Sequence, residues 1–418
     1  MLLTTALVSL LGTALLWSIW MTGSFHRMDH ALLDLTQNYL PPEPVEDSPL
    51  VYIKIGDISD QPWPWQSLDY AILTHSILRY FPQAMTMDAP FYRTGDGPTV
   101  YDSQLRSQLK RLNQSFVTVP LTSSGRHLGT ATALRPLATV PEHPELPVYA
   151  YGLWPIHEVS EVSQASPQTF PTDPDGRIRR LPLIINYQGK PVASQVLHTY
   201  AAYRGADLTS SGAVIGNSII LKDKQGDVIE HIPINTQGEI TLRYYPELPL
   251  RKEVEFYSVI LASEEAQQGA TPPFDLGIFR NSLVMLGKEH PDITETVMTP
   301  FGLTSTAKLQ LQAMANLLNR TYVKSLHPTW MAVAIYLALA AGILLAQWRK
   351  TLISLSGYIA CIFYITAMIA MFFYSRSYWA DPTAILLATT LGWIAGRSFT
   401  PYLNEKYMPV VEQTRTIR

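Results

Sequence analysis

The chain has a single cysteine, Cys361, and that residue lies in an apolar run toward the C-terminus. The long mixed middle of the sequence therefore holds no disulfide and no thiolate metal site. An exported domain without disulfides fits a bacterial envelope better than a secreted eukaryotic protein. An excess of either charge is also missing. The formal net charge is -3 and no long basic run occurs, which disfavours nucleic-acid binding. Phosphate-cradling glycine loops, an H-E-x-x-H pair and a Ser/His/Asp order are absent, and the histidines between His75 and His290 are scattered rather than set at ligand spacing. We expect no enzymatic activity, no metal and no cofactor. Internal repeats and low-complexity stretches are lacking as well.

Charge is absent in a patterned way. No charged residue occurs from Thr329 to Gln347 or from Thr351 to Ser375. Runs of about eighteen or more uncharged residues are long enough to cross a bilayer as helices. A further run, Leu2–Met21, reads as an uncleaved anchor rather than a signal peptide, since it lacks a basic n-region and an A-x-A site. The shorter run Pro382–Gly396 spans if Tyr378, Trp379 and Asp381 before it and Arg397 after it mark the headgroup levels. Ionisable side chains other than tyrosines and Cys361 are missing at depth in these runs, which argues against a pump or an ion path. Arg349 and Lys350 lie between the second and third runs, and Arg397, Lys406, Arg415 and Arg418 follow the fourth. Basic excess marks the cytoplasmic side, which places that turn and the C-terminus inside and the middle of the chain outside.

The expected organisation is an N-terminal transmembrane anchor (1–24), an exported α/β domain with a mixed sheet (25–328), a three-helix transmembrane region (329–398) and a short cytoplasmic tail (399–418). The fold class is thus α/β plus four transmembrane α-helices. Within the exported part, Leu50–Gly56 alternates and is β-branched, as a strand does. Ser67–Tyr80 has helical spacing with Ser67 as its cap, and Ala84–Pro90 reads as a second strand, so the three suggest a βαβ unit with parallel strands. Tyr101–Leu112 reads as a helix and Ser115–Val119 as a third strand, and prolines make 121–172 an irregular excursion. Asp173-Pro-Asp-Gly176 is a turn into a strand over Arg177–Tyr187, and Gln188-Gly189 is expected to lead to a helix over Ala193–Tyr203. Hairpins fill 213–245, and Ser282–Gly287 is a last buried strand before a helix over Ser305–Leu318.

Several stretches, in order, resemble the CHASE2 domain, an extracellular sensory module of bacterial membrane receptors. Val51-Tyr-Ile-Lys-Ile-Gly-Asp-Ile-Ser59 followed by Trp63-Pro-Trp65 is similar to the family's strand ending in an acidic residue and its W-P-W-like helix opening. Met87-Asp-Ala-Pro-Phe91 resembles a strand ending Asp-x-x-Phe, and Asp173-Pro-Asp-Gly-Arg-Ile-Arg-Arg-Leu-Pro182 is close to D-x-D-G-x-x-R-R-x-P. Arg280–Gly287, Asp292, Thr299–Gly302 and Ala313–Leu318 complete the likeness, which covers nearly the whole chain. The resemblance implies sensing of an envelope signal. Receptors of the family continue into a kinase or cyclase and this sequence does not, and Gln312 stands where the family's histidine is expected.

Asp57, Asp88 and Asp292 each follow an expected strand. Parallel strands would bring them to one sheet edge as a polar, cation-binding pocket; the competing reading is helix capping and turn formation. Trp65 is a ligand-cage candidate whose competing reading is packing held by the neighbouring prolines. Asp173 and Asp175 resemble the start of a calcium loop, but the other ligands at that spacing are missing, and a turn is the competing reading. Arg177, with Arg179 and Arg180, could grip an anion or pair with acids. Ala334, Ala338, Gly342 and Ala346 recur every fourth residue, and Gly392 and Gly396 form a G-x-x-x-G; both suit close helix packing, within the chain or against a partner. The expected function is a membrane-anchored sensor in the bacterial inner membrane that recognises an unidentified small molecule and acts through protein partners or a second copy. The alternative is a non-signalling subunit of an envelope complex.

Overall fold

In the computed structural model the N-terminal apolar run is one helix, α1 (Leu2–Met21), and after the turn 22–25 a second helix, α2 (His26–Tyr39), leaves at 79° to it. The structure describes residues 2–415 except 44, 46, 59–62, 93–98, 126–133, 135–136, 138–139, 141–145 and 349. Part of the proline-rich excursion, Arg349 and Arg418 lie outside the described residues. The chain divides into two packed units, one of residues 43–322 and one of 1–42 with 323–418. The helical unit thus takes in α2 and residues 323–328, which the sequence reading assigned to the exported domain.

The unit 43–322 is built on one sheet. Its strands are β1 (Leu50–Ile55), β2 (Ala84–Met87), β3 (Ser115–Thr122), β4 (Gln164–Gln168), β5 (Lys252–Glu255) and β6 (Leu283–Lys288), in the spatial order β5-β1-β6-β2-β3-β4, all parallel. Tyr151–Gly152 adds a short antiparallel pairing at the end of β3, so the sheet is mixed. Both faces are covered, which is why β1 reads as a nearly unbroken apolar run. Val51, Ile53 and Ile55 face a core shared with α3 (Ser67–Leu78), α4 (Val100–Leu109) and, further along, α6 (Phe256–Gln267). Leu50 and Tyr52 face the other side, where α5 (Gln195–Arg204) and α7 (Thr306–Asn319) lie. Leu73 and Ile77 of α3 are fully buried, each contributing about 1.5–3 kcal/mol.

Several local expectations change. β1 and β2 are parallel but not adjacent, because β6 inserts between them. Ser67 does not cap its helix; the N-cap is Gln66, and Ser67 Oγ donates instead to Asp102 Oδ1, whose carboxylate closes the capping box of α4 with Thr99. Gln188-Gly189 does not lead to a helix. Both residues have positive φ, at 50° and 83°, and turn the strand Ile184–Tyr187 into an antiparallel partner, Lys190–Ala193. The helix starts only at Gln195, capped by Ser194. The strand over Arg177–Tyr187 is two, Arg180–Pro182 and Ile184–Tyr187, in different sheets. Polar β4 emerges from the expected irregular region; among the described residues it pairs only with β3, so Pro167 sits on an edge where its missing N–H costs little.

In the other unit, α8 (Pro328–Ala346) and α9 (Thr351–Arg376) are long and apolar enough to cross a membrane, and the bent pair α1–α2 passes that test jointly. α10 (Pro382–Arg415) runs well beyond the expected end of its apolar run. The small residues are spent inside this unit. A Cβ on Gly342 would run into Thr389 O, one on Gly392 into Leu339 O, and one on Gly396 would sit 2.7 Å from Ala346 Cβ. Ala338 and Ala346 are buried and Ala334 is partly buried against the same cluster. These positions therefore join α8 to α10, and the reading of the ridge as a partner surface is corrected.

Gly287 at the end of β6 plays a like role in the sheet, since a Cβ there would meet Ala307 Cβ at 2.5 Å and Tyr52 Oη at 3.0 Å. Gly287→Val is expected to destabilise the full chain by about 1–3 kcal/mol through overpacking, read as a lowered Tm in detergent. An unchanged Tm would mean that α7 shifts freely off the sheet.

Candidate functional site

The parallel strands end on one edge, and several polar groups of the domain gather there. β1 runs into Gly56 and Asp57, β2 into Asp88, β5 into Phe256, and β6 into Glu289 and His290. Open α/β sheets bind ligands outside such carboxyl ends. Asp88 is only 5% exposed, with Lys288 Nζ 3.9 Å from Oδ1. Burial pushes its carboxyl up, Lys288 pulls it part of the way back, and Glu295 adds to the rise. Beside it, Glu289 is held by three donors: Tyr52 Oη at 2.8 Å, Ser305 Oγ, and Lys308 Nζ at 3.1 Å. Burial, with Glu289 alongside, pushes the Tyr52 hydroxyl up, so it remains a proton donor. Ser305 also caps α7 through Lys308 N, which fixes that helix to the sheet end.

Across β1 a cavity of about 210 Å³ is lined by Asp57, Ile58, Trp65, Glu255, Phe256, Tyr257 and Ser258. Trp65 stands 4.8 Å from the Phe256 ring and 5.0 Å from the Tyr257 ring, centre to centre. Tyr70 and Phe91 continue the cluster. Trp65 Nε1 and Tyr70 Oη are buried without a hydrogen-bond partner among the described residues, an arrangement that costs free energy in a purely structural core. Lys54 bridges Glu253 at 3.0 Å and Glu255 at 3.2 Å, so one base is shared by two acids at the rim. Acids beside aromatic rings suit a positively charged group. A larger open depression of about 1030 Å³ lies at the opposite, amino edge, lined by Arg79, Phe81, Arg111, Asn113 and Asn281 among others; no acid lines it among the described residues.

The structure brings Asp57, Asp88 and Asp292 to the same edge, in different states. Asp57 and Asp292 are exposed, and Asp292 forms a turn through His290 Nδ1, which accepts from its N–H at 3.2 Å. Trp65 joins Asp57 at the cavity. Asp173, Asp175 and Arg177 belong to another network. Buried Arg179 donates to Asp173 Oδ2 at 2.9 Å and to both oxygens of Asp175 at 3.0 and 2.7 Å, while Arg180 pairs with Asp173 and lies 3.5 Å from Glu239. Guanidinium groups occupy the oxygens that a calcium ion would need. Arg177 is exposed, and its N–H closes the turn on Asp175 at 3.2 Å. Gln312, at the family's histidine position, donates to Arg243 O at 2.9 Å. Glu255, Phe256, Tyr257, Lys288 and Glu289 were missed from sequence. The signal available was the short stretch Lys252–Glu255, whose one buried residue, Val254, is too little alternation to mark a strand.

A family model described as the CHASE2 domain matches residues 10–347. The fold therefore belongs to a sensory-domain class. The chain is a member of the CHASE2 family. No curated protein and no solved structure matches it.

The Asp173–Arg179–Asp175 network yields two tests. Arg179→Met is expected to cost on the order of 3 kcal/mol, because it removes a buried guanidinium from Asp173, which keeps its pairing with Arg180, and takes from Asp175 both of its Arg179 hydrogen bonds. Asp175 is held at about 2 against an ordinary 3.8, chiefly by its hydrogen bonds from Arg179. Its contribution is complete above the unfolded value and fades as pH falls through about 2. The Tm difference between the chain and Asp175→Asn should therefore shrink steadily as the pH is lowered from 4 toward 2; a constant gap would refute the pairing.

Proposed function

We propose that this chain is a membrane-anchored sensor whose ligand is a small, positively charged molecule bound at the carboxyl edge of the parallel sheet. The observation that carries the reading is the convergence there of Asp57, Glu255 and the Trp65–Phe256–Tyr257 rings around one cavity, with buried Asp88 at the end of β2 on the same edge. Membership of a sensory-domain family supports the reading, and two C-terminal apolar helices support membrane association.

In this reading α1, α8, α9 and α10 cross the bacterial inner membrane, with residues 43–322 in the periplasm. Lys350 and Arg397 cluster at one end of the bundle, where Arg397 Nη1 donates to Trp348 O at 3.1 Å, and basic residues favour the cytoplasmic side. Trp20, Trp330 and Trp379 fall at the other end. Output passes to a separate protein. α9 is the surface that suits such a partner: Leu352, Ile359 and Phe363 are among its exposed residues, and little of it is covered by its own chain. The same exposure favours the second reading, a non-signalling subunit of an envelope assembly.

Purification of the full chain from native membranes in mild detergent, with mass spectrometry of what accompanies it, tests both. A retained cationic small molecule, lost in Asp57→Asn and Asp88→Asn without a fall in Tm, is the expected outcome for a sensor. A stoichiometric exported or membrane protein with no small molecule in any sample would favour the assembly subunit. Equal retention by wild type and both variants would reduce those acids to turn residues.

A further inference from the structure

We propose that α2 is an interfacial helix, lying in the headgroup layer of the bilayer that α1 crosses with Met28, Leu35 and Tyr39 turned to lipid; this rests on reading α1 as a span. The bend places it there. A helix at 79° to a membrane-crossing neighbour runs nearly parallel to the membrane plane. The four-residue break 22–25 keeps its start close to the level where α1 ends.

The depth of α2 is set by what its inner face touches. Asp29 Oδ1 accepts from Thr383 N at 3.0 Å, at the start of α10. Leu33 packs with Val323, Phe373 and Trp379, and Leu32, Leu40 and Ile369 border the same cluster. Phe373 and Ile369 lie in the last turns of α9, so α2 rests against the flank of the bundle and not only on its end. Nearby, Trp20 Nε1 donates to Asp381 Oδ2 at 2.9 Å. α2 is thereby moored against Trp379, a residue type that marks headgroup level, with the Trp20–Asp381 bond two residues before Thr383.

Its outer face is built for lipid. Asp29, Leu33 and Gln37 are buried, whereas Met28, Leu35 and Tyr39 are 60%, 53% and 74% exposed. Large apolar side chains on the free side of an otherwise polar helix, with Arg27 beside them, suit the boundary between headgroups and acyl chains. The lipid-facing surface is continuous with α1, where Leu7, Leu11 and Leu15 are each about 60% exposed.

The test uses the full chain carrying Cys361→Ala, reconstituted in vesicles of phosphatidylethanolamine and phosphatidylglycerol. Single nitroxide labels are placed through Met28→Cys, Leu35→Cys and Tyr39→Cys, and their collisions with oxygen and with a water-soluble nickel chelate are compared. The expected result is a shallow lipid depth that is the same at the three positions. Depth changing by about 1.5 Å per residue along α2 would make it a continuation of the span and overturn the proposal. Strong nickel collisions would put it in water, and protection from both reagents would put it under protein, including a second copy; either outcome overturns it. A label through Leu11→Cys reports on α1 separately. If that label is in water, the span reading fails. If it is deep in lipid while the α2 labels are not in lipid, the interfacial assignment alone fails.

Discussion

The pairing of β1 with β6 is the constraint on which the sensory unit depends. It runs in unbroken parallel register from Leu50 opposite Leu283 to Ile55 opposite Lys288, between segments far apart in the chain. Closing so long a loop is repaid only when both faces of the pair are buried, and they are: Val51 and Ile53 on one side, Leu50 and Tyr52 on the other. From this pairing follow the insertion of β6 between β1 and β2, the contact of α7 with the sheet over Gly287, and the convergence of Asp88, Lys288 and Glu289 at one edge.

That edge contrasts with the ion network at Asp173. Both contain buried acids, but Asp173 and Asp175 are matched by Arg179 and Arg180 with short, paired hydrogen bonds. Among the described residues Asp88 has one basic partner, Lys288 at 3.9 Å, a weaker interaction that leaves its carboxyl raised by burial. A fully satisfied network rigidifies a turn, whereas an acid with so loose a partner, on the same edge as Trp65 and Tyr70 donors that have no partner among the described residues, is suited to a ligand. In the helical unit the small residues do comparable structural work. Gly342 and Gly392 bring the α8 and α10 backbones together, which leaves the bulkier apolar surface of α9 facing outward.

Much of this was legible. The β-branched run of β1, the turn at Asp173–Gly176, the helix from Ser305 and the long uncharged runs each carry a local signal, and each forms an element close to its expected place. β4 and β5 were not legible, because each is a short edge strand with Pro, Gln, Lys or Glu on it, held by a neighbour's backbone rather than by its own pattern. Ser67 shows a further limit: a serine at a helix start signals a cap, yet its hydroxyl is spent on Asp102 from another helix.

By itself the sequence determined which segments are apolar enough to leave water, which alternate as strands, and that Asp57, Asp88 and Asp292 each close one; periodicity and charge are local properties, readable without knowing neighbours. Only the tertiary structure decided that Asp88 is buried while Asp57 and Asp292 are exposed, that Glu255, Phe256 and Tyr257 join Trp65 around a cavity, and that the glycine ridge is consumed within the chain. Those outcomes depend on which distant strand or helix arrives alongside, and burial and pairing are properties of that arrival.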